Sequence, residues 1–295
     1  DSRITLSTTR ITRPPSMPQS MLRANRHRIE PAKPHFSLVF MTVLTQLASG
    51  GFLTLWLGDL FSRWVGFLRP LEDFLVTGAL GMLGVSFLAL FASVFHLGRP
   101  LHAYKALRMW RRSWLSREVL FFTLFAASGA VFSGMLLGQH FLSWPLPASL
   151  RVFSGGMVAL LGMAGVFASA RIYLVAARPA WNTIRTPFRF FLTGFILGPL
   201  FALVLYSVTA MAQAAGEMPG LGPRMFWLAV SGAAAFLQLF VLLWRLLYLL
   251  RDQPFELGGS TWLLTHRFRA HFLARILLLV SANFILPIWM SNLLA

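Results

Sequence analysis

Positive charge in this chain is concentrated at alternate intervals between long apolar stretches, and that pattern restricts the fold more than any other feature. Seven stretches, at roughly 36–61, 73–97, 117–138, 150–176, 187–213, 225–250 and 273–294, each exceed the roughly 20 residues that carry a helix across a bilayer. Of the 26 Lys and Arg residues, 22 lie in the N-terminal segment, in the second, fourth and sixth intervals, or in the ends of the stretches that adjoin those intervals. The other intervals hold only Arg63, Arg69, Arg151 and Arg224, balanced by Asp59, Glu72, Asp73 and Glu217. Membrane insertion retains Lys and Arg on the cytoplasmic side. The pattern therefore predicts an all-α, polytopic transmembrane bundle of about seven spans with a cytoplasmic N-terminus.

Composition agrees. Hydrophobic residues make up 57% of the sequence and charged residues 12%, against about 25% charged in an ordinary soluble domain. A net charge of +17 would suit nucleic acid if it were gathered on one soluble face. Here it is spread beside membrane spans, where topology, anionic lipid headgroups or an acidic partner account for it. Nucleic acid is not an expected partner. The chain has no cysteine, so it can neither ligate an iron–sulfur cluster through thiolates nor form a disulfide.

Two regions follow. Residues 1–34 form a basic, proline-containing arm, without the apolar core of a secretory signal. It is either a disordered cytoplasmic segment or an arm draped over a partner subunit. Residues 35–295 form the bundle. Gly78, Gly81 and Gly84, the Gly134–Gly138 pair and the Gly194–Gly198 pair have the spacing that lets membrane helices approach closely. Trp56, Trp64, Trp110, Trp114, Trp144, Trp181, Trp227 and Trp244 fall near predicted helix ends, as an aromatic belt requires.

Candidate chemistry is sparse. No acidic or basic side chain lies in the middle third of any span, which counts against an ion-coupled transporter or channel. No two histidines face each other from helix interiors, so no haem and no other metal site is expected. The densest cluster runs from Phe95-His96-Leu97-Gly98-Arg99-Pro100 through Tyr104 to Trp114-Leu115-Ser116-Arg117-Glu118. His96 falls at the membrane interface, where an imidazole can exchange protons near neutral pH, and Glu118 could pass them to water. The structural alternative is that His96 caps its helix while Ser116 and Glu118 serve the N-terminal turn of the next. Gln46 lies about ten residues into the first span and needs a partner, either a neighbouring helix or a ligand carbonyl. Thr45, Ser49, Gly50 and Gly51 beside it would leave room for a flat ring.

Three segments carry a resemblance: His35-Phe36-Ser37 through Gln46 to Gly51-Phe52, then His96 to Glu118, then Arg171-Ile172-Tyr173 with Pro179-Ala180-Trp181-Asn182 and Arg185 to Phe191. In these the chain resembles the membrane anchor subunits of the dimethyl sulfoxide reductase family of molybdenum oxidoreductases. The resemblance implies a bacterial inner-membrane complex with a molybdopterin catalytic subunit and a ferredoxin-like subunit holding four iron–sulfur clusters. It implies that the anchor holds no metal and exchanges electrons with menaquinone or ubiquinone. The quinone-binding role of the family's His-Leu-Gly histidine falls on His96, with Arg99, Gln46 and Tyr104 around it and Glu118 as a proton exit. Such anchors serve complexes of the dimethyl sulfoxide reductase type and of the sulfite dehydrogenase type. Members commonly have eight spans, against seven here. A purely structural tether, or a transporter without redox role, are the competing readings.

Overall fold

The computed structural model describes residues 35–66, 73–95, 100–176, 178, 180–212, 221–249 and 255–285. The arm at 1–34 lies outside them. All regular structure among the described residues is helical: α1 (Phe36–Ser62), α2 (Phe74–Val94), a 3-10 helix (Pro100–Met109), α3 (Trp114–Leu142), α4 (Ala148–Ile172), α5 (Arg185–Ala212), α6 (Leu221–Leu249), α7 (Phe255–Trp262) and α8 (Arg269–Val280). Six of these, α1 to α6, are long and apolar enough to cross a membrane. The predicted seventh stretch begins as α8 and continues through a π-helical turn to Ile285; residues 286–294 lie outside the described residues.

Helix α1 is the hub, packing against α2, α4 and α5. Its sequence makes this possible because one side is nearly bare of side chains. A Cβ on Gly50 would fall on the carbonyl oxygen of Gly194, and one on Gly198 would fall on the backbone of Gly50. The α1 and α5 backbones thus touch, which is how membrane helices gain packing when lipid is as apolar as their side chains. Gly78 and Gly81 face Leu55 and Leu205. The Gly134–Gly138 pair does not mediate a helix crossing. Gly134 faces open space, and Gly138 accommodates the ring of Trp144 in the α3–α4 turn, where Ser143 adopts a left-handed conformation at φ 52°.

Helices α3 and α4 pack antiparallel in a fixed register, three aromatic rings of α3 each covering a glycine of α4. A Cβ on Gly165 would lie 2.6 Å from Phe122, on Gly162 2.9 Å from Phe125, and on Gly155 3.4 Å from Phe132. At the end away from the basic intervals, Arg151 of α4 donates two hydrogen bonds, 2.7 and 3.1 Å, to the buried Asp59 of α1. Trp56 Nε1 donates to the Val152 carbonyl at 3.0 Å. These bonds fix the level of α4 against α1.

Three other expectations change. Trp227 is only 2% exposed and packs against the rings of Phe74 and Tyr206, so it is core and not belt. Helix α3 starts at Trp114, earlier than the predicted 117, and is capped by Ser113, whose hydroxyl accepts from the Ser116 amide; Ser116 is thus in the first turn, and Glu118 lies just beyond it. Room for a flat ring is not supplied by Gly50 and Gly51, where the Gly194 backbone and the Met82 side chain already fill the space. Asn283 and Gln238 join helices. Ser231 Oγ lies 2.5 Å from Asn283 Oδ1, and Gln238 Nε2 is 3.5 Å from Thr193 Oγ1.

Candidate functional site at the basic end of the bundle

The α3–α4 register decides what faces Glu118. One turn from Phe122 along α3 and one turn from Gly165 along α4 bring Glu118 opposite Ser169. Both are buried, at 6% and 3% exposure, and the Ser169 hydroxyl meets the Glu118 carboxyl. A further turn along the same face, just past the end of α4, Tyr173 stands near Glu118, and its hydroxyl meets that of Thr42 on α1. Thr42 Oγ1 in turn lies 2.8 Å from the Leu38 carbonyl. Burial pushes the Tyr173 phenol pKa up; the contact with Thr42 opposes this, and the charge of Glu118 adds to it.

One turn beyond Thr42 on α1 come the buried Thr45 and Gln46, and then Ser49. The Ser49 hydroxyl is fully buried without a hydrogen-bond partner among the described residues, facing Gly162 and the ring of Phe125. A buried, unpartnered hydroxyl is uncommon in a native interior. Carboxyl, phenol, hydroxyls and amide therefore descend from the basic end into an otherwise apolar wall formed by α1, α3 and α4.

The water side is fastened by cations. Arg117 and Arg171 lie over Trp114 at 4.3 and 4.9 Å from its ring centroid. Arg117 also donates to the Trp110 and Arg111 carbonyls at 2.9 and 2.8 Å, tying the 3-10 segment to the start of α3.

Of the residues singled out from sequence, Glu118 and Gln46 are brought to the same end of one wall. Tyr104 is 66% exposed on the 3-10 helix. His96 and Arg99 lie outside the described residues. Ser169 and Thr42 escaped the sequence reading, and Tyr173 entered it only within the third resembling segment, without a role. The available signal was spacing, since Thr42 is one helical turn from Gln46, and Ser169 and Tyr173 are one turn apart. Among the described residues no group of three or more His, Asp or Glu side chains could hold a metal ion.

The chain matches the family model described as DMSO reductase anchor subunit (DmsC) over residues 30–247. It belongs to this family. The anchor is 34% identical over 149 residues to a sulfite dehydrogenase subunit of Allochromatium vinosum, an alignment that takes in 49% of this sequence and 44% of that protein. It is 30% identical over 203 residues to an anaerobic dimethyl sulfoxide reductase chain of Escherichia coli, over 68% of this sequence and 67% of that one. An anaerobic dimethyl sulfoxide reductase chain of Haemophilus influenzae is 30% identical over 167 residues, 55% of each. The anchor thus spans less than half the length of its sulfite dehydrogenase relative and about two thirds of the Escherichia coli one. No solved structure matches it.

Proposed function

We propose that this anchor is the quinone-reactive subunit of a cytoplasm-facing molybdopterin oxidoreductase of the bacterial inner membrane. It exchanges electrons between menaquinone or ubiquinone and a ferredoxin-like subunit with four iron–sulfur clusters, which connects to the molybdopterin subunit. The observation that carries this reading is the buried polar wall from Glu118 to Ser49 at the basic end, in a member of this family.

Oxidation of a quinol releases two electrons and two protons; reduction of the quinone takes up the same. The electrons go to or come from the partner's clusters, and the protons need a route at the membrane surface. His96 exchanges a proton with the quinone head, helped by Arg99 and Tyr104. Gln46 offers its amide to a ring carbonyl from deeper in the wall. Glu118, held by Ser169 and beside Tyr173, carries the proton between the buried site and water. General acid–base groups of this kind are worth roughly 10²–10⁴ in rate. The two relatives work in complexes named for different substrates. Both a reductase and a sulfite dehydrogenase assignment therefore suit the anchor.

The test is made on the assembled complex purified in mild detergent. Metal analysis is expected to find molybdenum or tungsten with iron and no haem absorbance. His96→Ala and Glu118→Gln are each expected to leave subunit stoichiometry and dye-linked turnover intact while quinone-linked turnover falls about a hundredfold or more. Unchanged quinone turnover in both variants would remove these residues from the mechanism. A chain that purifies alone and metal-free would favour a transporter.

A further inference from the structure

A second concentration of charge lies on the other side of the bundle, among α5, α6 and α8. Arg189 of α5, Arg245 of α6 and Arg275 of α8 stand close enough to repel one another, and Arg185 adds a fourth positive charge toward Arg245. The guanidinium of Arg185 lies 5.6 Å over the ring of Tyr248. No carboxylate among the described residues pairs with any of the four. Arg185, Arg189 and Arg245 are half-buried and Arg275 is exposed beside them; like charges gathered in this way, unpaired by any carboxylate among the described residues, favour an anion joining them.

The surroundings say which kind of anion. Arg189 is the fifth residue of α5 and Arg245 the fifth from the end of α6, so both sit about 6 Å inside their helix ends. At that level the neighbouring side chains are apolar and outward: Phe188, Trp244, Leu247, Leu277 and Leu278 are 41%, 57%, 63%, 68% and 68% exposed. On the water side the α4–α5 loop reaches in, its Ala180 carbonyl accepting from Arg245 Nη2 at 2.9 Å. The cluster therefore lies at interface depth, bordered by surface that acyl chains would cover. Guanidinium forks match phosphate oxygens bidentately, which a water shell or a single carbonyl does not reproduce.

We propose that the Arg189–Arg245–Arg275 cluster is a binding site for the phosphate of an anionic phospholipid of the cytoplasmic leaflet. The lipid neutralises the repelling arginines and holds α8 against α5 and α6. This site is separate from the wall around Glu118, and it rests only on the protein being a membrane anchor.

The experiment uses the full chain in a neutral mild detergent, with native mass spectrometry to count retained lipid and thermal unfolding to read stability. Phosphatidylglycerol, phosphatidylcholine and inorganic phosphate are the three probes. Phosphatidylglycerol is expected to be retained and to raise the unfolding temperature, with phosphatidylcholine and inorganic phosphate ineffective. In R189Q/R275Q the phosphatidylglycerol affinity should fall roughly thirtyfold, from two lost surface charges. Without lipid, that variant should unfold no earlier than the parent, because repulsion has been removed. The control R111Q/R112Q, on the exposed loop before α3, should retain the lipid. Equal retention of the two lipids by the parent overturns the proposal, as does equal stabilisation by inorganic phosphate. Lower lipid-free stability of R189Q/R275Q overturns it by making the arginines structural. Unchanged phosphatidylglycerol retention in R189Q/R275Q overturns it as well.

Discussion

At the scale of single residues, Tyr173 is the most informative side chain that spacing rules passed over. Its phenol is held above the ordinary value near 10, first by burial and then by the charge of Glu118, against the contact with Thr42. On raising the pH the unfolded protein loses this proton first. From about pH 10 upward the folded state then binds more protons than the unfolded one, and stability falls as pH rises. At neutral pH both states keep the proton and no dependence arises. Melting curves in detergent between about pH 8 and 11 should therefore fall more steeply for the parent than for Tyr173→Phe. Parallel curves would mean that the phenol is not held in the way described. Glu118 was legible because a carboxylate two residues past Ser116 in an apolar sequence is conspicuous. Its partners were not, because Ser169 is an ordinary small residue until a neighbouring helix is set beside it.

At the scale of helices, glycine spacing was a fair guide to close approach but a poor guide to which helix is approached. Gly194 and Gly198 form a backbone-to-backbone contact with Gly50, whereas the equally regular Gly134 and Gly138 do not mediate a crossing. The motif states only that a face is bare; the partner is set by the three-dimensional arrangement of all the helices. A matched pair of substitutions separates the cases. Gly50→Ala drives a methyl group into a carbonyl that cannot move aside and should destabilise by about 1–3 kcal/mol or more. Gly134→Ala, which meets open space, should be neutral or stabilising by up to about 1 kcal/mol from helix propensity. Unfolding by denaturing detergent measures both. Equal effects would refute the α1–α5 contact. The boundaries of the six long helices were readable to within a few residues from hydropathy. The way the 3-10 segment is tied to the start of α3 was not, because it depends on the Ser113 cap and the Arg117 bonds.

At the scale of the whole molecule, the charge asymmetry predicts one orientation, and the absence of cysteine makes that prediction simple to check. Pro145→Cys lies in the exposed α3–α4 turn and Arg112→Cys in the exposed segment before α3. A membrane-impermeant maleimide applied to intact spheroplasts should label the first. It should label the second only after permeabilisation. The reverse result would put the partner subunits on the outer side and invert the proposed direction of proton release. The bundle as a whole was legible because lipid admits only helices and closed barrels, and apolar stretches of this length fit helices. The two clusters at its basic end were less so, since each is assembled from three helices that a linear reading keeps apart.

The interleaved rings of α3 and glycines of α4 act as a ratchet with its teeth engaged. Phe122, Phe125 and Phe132 would all have to leave their seats together for one helix to slide along the other, and close-packed interiors switch between discrete arrangements and do not creep. The Glu118 end of the molecule is therefore a fixed mounting plate. Whatever docks there must find its fit through the connecting segments, and its distance to the buried carboxyl is dictated by the membrane subunit and not negotiated at each encounter.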